Sequence, residues 1–150
     1  MQDNQKSNAA HQLEGWLAIL GALGCLILTA IIWQQVRAYQ GIWPLPGLYF
    51  IELASVSVIS TAVFIHHAPT GVIFTWCAAG IFAAFFYAAG FSVGLFYLPV
   101  ALIYAGISIS YDVRNRGPIA MHLLVAIIAG AAQFALMLIL IRLLNPDAIF

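Results

Sequence analysis

The sequence predicts an all-α integral membrane protein, a single bundle of five transmembrane helices. Hydrophobic residues make up 64% of the 150-residue chain and charged residues only 7%, whereas a soluble domain carries about 25% charged residues. The charges are also absent from three long stretches, at positions 15–36, 53–111 and 117–141. Each stretch is at least as long as the ~20 residues that cross the hydrocarbon core as a helix. None of them alternates polar and apolar residues as barrel strands do.

Breaks in the apolar stretches predict the boundaries of the spans. Pro44 and Pro46 mark a loop after the first span, and Pro69 follows the second. The apolar run 71–111 would reach about 60 Å as one helix, twice the hydrocarbon thickness, so we expect it to turn back near Gly90. A polar tail at 1–14 and a short tail at 144–150 then flank one bundle. Its spans are expected at 15–36, 48–65, 71–89, 95–111 and 118–143.

Composition and motifs exclude several classes of function. The formal net charge is zero and no basic patch is present, so we expect no nucleic-acid partner. Cys25 and Cys77 form no C-x-x-C motif, which argues against a disulfide relay and against a zinc site. No span carries paired carboxylates, a serine–histidine–acid set or a glycine-rich phosphate loop. The sequence therefore predicts a protein that is not an enzyme and holds no metal.

Glu52 is the only acidic residue inside an expected span, and such a residue is by default a functional hypothesis. Its expected partners are Arg37 and Arg142, which the topology places on the same side of the membrane. An interfacial ion pair that tethers helix ends is favoured by the shallow position of Glu52, and a proton or cation site of a small transporter is the alternative. Four hydroxyls further along the helix do not gather on the Glu52 face at 100° per residue. They belong to Ser55, Ser57, Ser60 and Thr61.

All four histidines fall on the N-terminal side of a five-span bundle. His66 or His67, at the end of the second span, could approach His122 in the first turns of the fifth. Two imidazoles from facing helices are what a haem b or a metal site requires. Ordinary interfacial histidines are the favoured interpretation, because membrane haem ligands usually lie deeper. We therefore expect no resident cofactor, with haem b as the alternative.

Small residues at four-residue spacing form ridges on two spans, and such ridges let helix backbones approach closely. The ridges either hold the bundle together or dock it on another membrane subunit. Gln133, near the middle of the fifth span, is expected to make an interhelical hydrogen bond. The ridge residues are Gly80, Ala84 and Ala88 in the third span, and Ala126 and Gly130 in the fifth.

One segment of the chain resembles a known group of proteins. It contains Trp76 on a helix, a phenylalanine–serine–small–glycine turn at 91–94, and an aromatic helix start that leads into Pro99. This stretch resembles a segment of small, uncharacterised multi-span bacterial membrane proteins. The resemblance implies a bacterial origin and a hairpin break near Gly90, and it implies no activity.

The basic residues near the span ends predict the orientation. Lys6, Arg114 and Arg116 lie on the N-terminal side, against Arg37 and Arg142 on the other, so the positive-inside rule favours a cytoplasmic N-terminus. We expect a protein of the bacterial cytoplasmic membrane. Its leading functional hypothesis is a non-catalytic accessory or scaffold subunit, with the lipid bilayer and other membrane subunits as partners. A small transporter or a redox carrier is the alternative.

Overall fold

The computed structural model describes residues 2–39, 45–89 and 93–144. Within these ranges the chain forms five α-helices, and each helix is long and apolar enough to cross a membrane. The all-α five-helix bundle of an integral membrane protein is thereby confirmed. The helices are α1 (Gln2–Tyr39), α2 (Leu45–His66), α3 (Ala68–Ala89), α4 (Gly94–Asn115) and α5 (Ile119–Leu144).

Two helices extend well past the expected spans because polar residues near their ends are buried. Helix α1 includes residues 2–14, which the sequence assigned to a polar tail. Its Glu14 is only 3% exposed and bonds to α4, so α1 is held against the bundle at this position. Helix α4 continues past position 111, since Asp112 faces the interior and is 1% exposed. Glu14 and Asp112, whose polarity predicted a tail and a loop, therefore lie at contacts between helices.

The remaining boundaries lie close to the predicted ones. Helix α3 begins at Ala68 rather than at position 71, because Pro69 falls in the first turn, where its missing N–H breaks no hydrogen bond. The turn expected near Gly90 falls between α3 and α4. Residues 90–92 themselves lie outside the described ranges.

Helix α3 is at the centre of the bundle, and it packs against α2, α4 and α5. Helix α1 packs on α2 and α4. Between α3 and α4, the Phe82 ring stacks between Tyr97 and Tyr104, with centroid distances of 6.1 Å and 5.9 Å and interplanar angles of 16° and 4°. All three rings are fully buried. Each such pair adds about 0.5–1.5 kcal/mol beyond its buried area, which makes this stack a rigid centre for the fold.

Helices α3 and α5 approach each other through the predicted small-residue ridges. A Cβ atom placed on Gly80 would overlap the carbonyl of Ala126, and one on Gly130 would lie 2.9 Å from the Gly80 carbonyl oxygen. These three residues therefore hold the bundle together. The other two ridge residues, Ala84 and Ala88, stay partly or fully exposed.

Candidate functional site

A buried carboxylate joins three helices near the N-terminal side of the bundle. Asp112, in the last turn of α4, accepts a hydrogen bond from Trp76 Nε1 of α3 at 2.9 Å. The Nδ1 atom of His122, on α5, lies 2.9 Å from the same carboxylate oxygen and 3.1 Å from the other. Burying a carboxylate is costly unless it is hydrogen-bonded. The indole and the imidazole provide those bonds, and we call this group the Asp112 cluster.

The turn after α4 positions the Asp112 cluster. Arg116 ends the helix in the left-handed conformation, with φ of 53°, and its backbone N–H bonds to the carbonyl of Asp112. Gly117 N–H reaches the same carbonyl at 2.8 Å. A side chain on Gly117 would overlap the Asp112 carboxylate. The tight reversal therefore needs glycine there, and it brings His122 beside Asp112.

A second buried carboxylate attaches α1 to α4 at the same end of the bundle. The two guanidinium nitrogens Nη1 and Nη2 of Arg114 donate to Oε1 and Oε2 of Glu14, each at 2.7 Å. Ser110 Oγ donates to Oε1 at 2.8 Å. A bidentate arginine–carboxylate pair is among the stronger hydrogen-bonded contacts in proteins. The only sequence signal for this pair was that both charges border spans on the same side.

Glu52 is on α2 and faces α5. Gln133 Nε2 donates to Glu52 Oε2 at 2.7 Å, and one turn away the Tyr49 hydroxyl donates to the Met137 carbonyl at 3.3 Å. The interhelical hydrogen bond expected of Gln133 is therefore present, with Glu52 as its partner.

The structure does not bring Glu52 together with the arginines that the sequence suggested. Within the described ranges no ion pair joins Glu52 to Arg37 or to Arg142, and both arginines are exposed near the ends of their helices. A guanidinium at a helix end stays hydrated at the interface, whereas Gln133 already faces the bundle. The neutral amide of Gln133, on the facing helix, is therefore the hydrogen-bond partner of Glu52.

The hydroxyl of Tyr104 is the centre of a polar network inside the bundle. It lies 2.9 Å from Ser57 Oγ and 2.9 Å from Thr61 Oγ1, and it can donate to the Ser57 carbonyl at 2.9 Å. Thr61 Oγ1 also donates to the carbonyl of Ala18 at 3.1 Å. The network thus connects α1, α2 and α4 in the middle of the membrane-spanning region, where it stabilises helix association.

The four hydroxyls singled out on the second span divide between two environments. Ser55 is exposed, whereas Ser57, Ser60 and Thr61 are buried. Ser60 Oγ donates to the Phe74 carbonyl of α3 at 3.2 Å. The buried hydroxyls bond to helix backbones and to Tyr104, and none of their bonds reaches Glu52.

The histidines singled out in the sequence make separate contacts in the structure. His67 Nδ1 lies 2.8 Å from Thr70 Oγ1, and His66 is exposed at the end of α2. His122 bonds to Asp112, and no contact in the described part of the chain joins it to His66 or His67. No group of three or more His, Cys, Asp or Glu side chains in that part could hold a metal ion. The bis-histidine haem site therefore stays a prediction.

A cavity of about 490 Å³ forms a groove along α3 and α5. Its floor consists largely of small residues, and Trp76 of the Asp112 cluster lines it. Tyr87 and Phe134, which also line it, contact each other edge to face, with ring centroids 6.0 Å apart. We call this cavity the α3–α5 groove, and its small residues are Ala79, Gly80, Ala83, Ala84, Ala105, Ala126, Gly130 and Ala131.

The fold and the sites define a class of protein: a helical membrane bundle whose polar side chains bond between helices. Comparisons with protein-family models, with curated proteins and with solved structures returned no match for the chain. Its function is therefore inferred from its own geometry.

Proposed function

We propose that this protein is a non-catalytic accessory subunit of a larger membrane complex, and that the α3–α5 groove is its docking surface. The observation that carries the proposal is the groove itself, an apolar cavity of about 490 Å³ lined mainly by small residues of α3 and α5, with Ala105 of α4. Small residues at a helix surface allow close approach of a further helix, which is how membrane helices associate without a hydrophobic force between them.

The polar side chains support this proposal because they are engaged within the bundle. Glu14, Asp112 and Glu52 each bond to a side chain on another helix. The interior hydroxyls bond to each other or to backbone carbonyls. Groups arranged in this way stabilise helix association and offer few free donors or acceptors to a polar substrate.

Helix α5 supplies much of the proposed docking surface. Of its 26 residues, Ala126, Gln133 and Met137 are the buried ones, and its contacts with α2 and α4 are slight compared with those to α3. At the other edge of the groove, Tyr87 is 78% exposed. Tyrosine is enriched among the residues that anchor protein interfaces. The occupant we propose is a transmembrane helix of another subunit, with a bulky apolar side chain seated between Ala84 and Ala131.

A matched pair of alanine variants tests the docking proposal. Ala131→Leu fills the groove, whereas Ala135→Leu adds the same volume to an exposed site of α5 outside it. Both variants and the parent chain are purified in mild detergent from native membranes at native expression levels. We expect a stoichiometric partner with the parent and Ala135→Leu, and at least a tenfold loss with Ala131→Leu. A parent chain that runs alone as a monomer, or equal retention by both variants, would contradict the proposal.

We further propose that the protein resides in a bacterial cytoplasmic membrane with its N-terminus inside. Arg114 and Arg116 lie at the end of α4 on the side where α1 begins, and Arg37 and Arg142 lie at helix ends on the other side. The resemblance of segment 76–99 to bacterial membrane proteins supports the bacterial origin.

A redox carrier is the second candidate function, because the Asp112 cluster holds an imidazole in a defined orientation. A histidine fixed by a carboxylate through one ring nitrogen presents the other nitrogen to a ligand, and His122 Nε2 has no hydrogen-bond partner within the described ranges. An absorption spectrum of protein purified from native membranes would show a haem band under this hypothesis.

The transporter hypothesis predicts that Glu52→Gln abolishes an ion-dependent flux, and unchanged flux would end it.

A further inference from the structure

A second groove runs along α1 and α2, away from the α3–α5 groove. It comprises three cavities of about 390, 320 and 320 Å³. The first two share Ile19 and Ile65, and the second and third share Val58, so the three cavities follow one another along α1 and α2. The lining residues of α1 run from His11 to Leu26, which corresponds to about 22 Å along a helix. This is longer than the ~15 Å depth of one hydrocarbon leaflet.

The groove changes from polar to apolar along its length. His11 and Gln12 line its N-terminal end together with Trp16, which is 65% exposed, and His66 lines the adjoining cavity. Beyond this end its lining is almost entirely apolar. We call the two parts the polar end and the apolar track; the apolar track is lined chiefly by Ile19, Ala22, Leu23, Leu26, Ala54, Val58, Ile59, Ala62 and Ile65.

The polar end holds hydrogen-bonding groups that the bundle itself does not use. The His11 side chain is 43% exposed, but its Nδ1 atom is buried and has no hydrogen-bond partner in the described part of the chain. The ring nitrogen that a headgroup can reach is therefore Nε2. The carboxylate oxygen nearest to Nδ1, Glu14 Oε2, is 4.0 Å away, and it already accepts from Arg114 at 2.7 Å. Because Arg114 balances the charge of Glu14, an anionic group at the polar end meets no uncompensated carboxylate.

We propose that this groove binds one phospholipid, with an acyl chain along the apolar track and the phosphate at His11, Gln12 and His66. Imidazole and amide N–H groups are suitable donors to phosphate oxygens, and they lie at the end of the groove where a headgroup would be. Each of the three adjacent cavities is below 400 Å³, which suits a narrow hydrocarbon chain better than a helix, since a helix with its side chains is about 10 Å across. The site is independent of the proposed docking of a subunit at the α3–α5 groove.

Native mass spectrometry of the purified full-length chain tests the proposal. The protein is reconstituted in nanodiscs of dioleoylphosphatidylcholine, extracted in mild detergent, and its retained lipids are counted. Ala62→Leu fills the apolar track, and Ala30→Leu makes the same change at an exposed site of α1 outside the three cavities. We expect one phospholipid on the parent and on Ala30→Leu, and at least a tenfold lower occupancy on Ala62→Leu.

Two further measurements separate the parts of the proposal. His11→Ala combined with Gln12→Ala changes the polar end and leaves the apolar track intact, so it tests the site even where Ala62→Leu lowers the folded yield. We expect at least a fivefold loss of bound phospholipid. Dioleoylglycerol, which has the same chains without phosphate, is expected to be retained at least fivefold less than the phospholipid. Equal retention by Ala62→Leu and Ala30→Leu, equal retention of the two lipids, or a dimer mass in place of bound lipid would overturn the proposal.

Discussion

At the scale of single residues, Asp112 and Glu14 share one arrangement at the same end of the bundle. Each carboxylate is nearly fully buried, and each bonds to side chains from other helices. An ionisable group inside a membrane protein is tolerated when it is paired in this way. Removing one partner leaves the other buried without compensation, which costs more than the pair itself contributes.

The hydrogen bond from Trp76 to Asp112 predicts that two tryptophan-to-phenylalanine variants differ in stability. Trp76→Phe removes the indole N–H that Asp112 accepts, and we expect a loss of about 1–3 kcal/mol in unfolding free energy. Trp16→Phe is the matched control, because Trp16 is 65% exposed and donates no hydrogen bond in the described structure. Thermal unfolding in detergent measures both variants. Equal midpoints for the two would show that the indole bond contributes nothing to stability.

The ion pair between Glu14 and Arg114 makes a second prediction. Arg114→Gln should cost roughly 2–3 kcal/mol, less than the ~3–5 kcal/mol of a fully buried pair, because the Arg114 side chain is 22% exposed. Arg116→Gln changes an exposed arginine two positions away and should leave stability unchanged. Hydrogen exchange of residues 9–14 and thermal unfolding report the effect.

A double variant separates the pair from its surroundings. Glu14→Gln combined with Arg114→Gln should lose less stability than the sum of the two single changes, since each residue without the other is an unpaired group. Additive losses would mean that the two side chains act independently.

At the scale of helices, α5 is joined to the bundle mainly through α3. The close approach of Gly80 to Ala126 brings the two backbones together, and the side-chain bonds from His122 and Gln133 set the position of α5 along and around its axis. Since no side chain separates the backbones at Gly80, the packing there depends on that residue remaining small.

Two glycines offer a direct comparison of packing and helix propensity. Gly80→Ala places a methyl group against the Ala126 carbonyl and should cost about 1–3 kcal/mol through overpacking. Gly106→Ala, in the interior of α4, has nothing within 4 Å of the new Cβ, so its midpoint should be unchanged or raised. Thermal unfolding in detergent measures the midpoints of both variants. A Gly80→Ala protein as stable as Gly106→Ala would refute the close contact of α3 and α5.

At the scale of the whole molecule, the topology can be tested with cysteines. Cys25 and Cys77 lie inside membrane-spanning helices, so the parent chain should resist a membrane-impermeant maleimide. With the N-terminus inside, Arg142→Cys should react in intact bacterial spheroplasts, and Arg116→Cys only after lysis. The reverse pattern would invert the orientation. Reaction of both variants in intact cells would rule out an arrangement with five spans.

Much of the architecture was predictable because it depends on local properties of the chain. A helix satisfies its own backbone hydrogen bonds, and a run of about 20 apolar residues is enough to cross the membrane. The small-residue ridges of the third and fifth spans were visible as repeats of four, and Gly80 of one ridge does meet Ala126 and Gly130 of the other. Gln133 was expected to bond between helices and does so.

The partners of the charged groups were harder to predict from the sequence. Glu52 was expected beside Arg37 or Arg142 and lies beside Gln133, while Asp112 was assigned to a loop. Each pairing depends on which helices are neighbours and on how each is rotated about its axis. The weak amphipathicity of such apolar helices leaves that rotation unspecified until the helices pack.

The sequence by itself determined that this protein is a bundle of membrane-spanning helices, because hydrophobic length and the positions of charges are local quantities. Only the tertiary structure decided which polar groups meet, since Glu14 and Arg114 are 100 positions apart and come together solely because α1 packs on α4. The packing of the helices also leaves one groove along α3 and α5 and another along α1 and α2. The proposed subunit and lipid sites depend on these grooves.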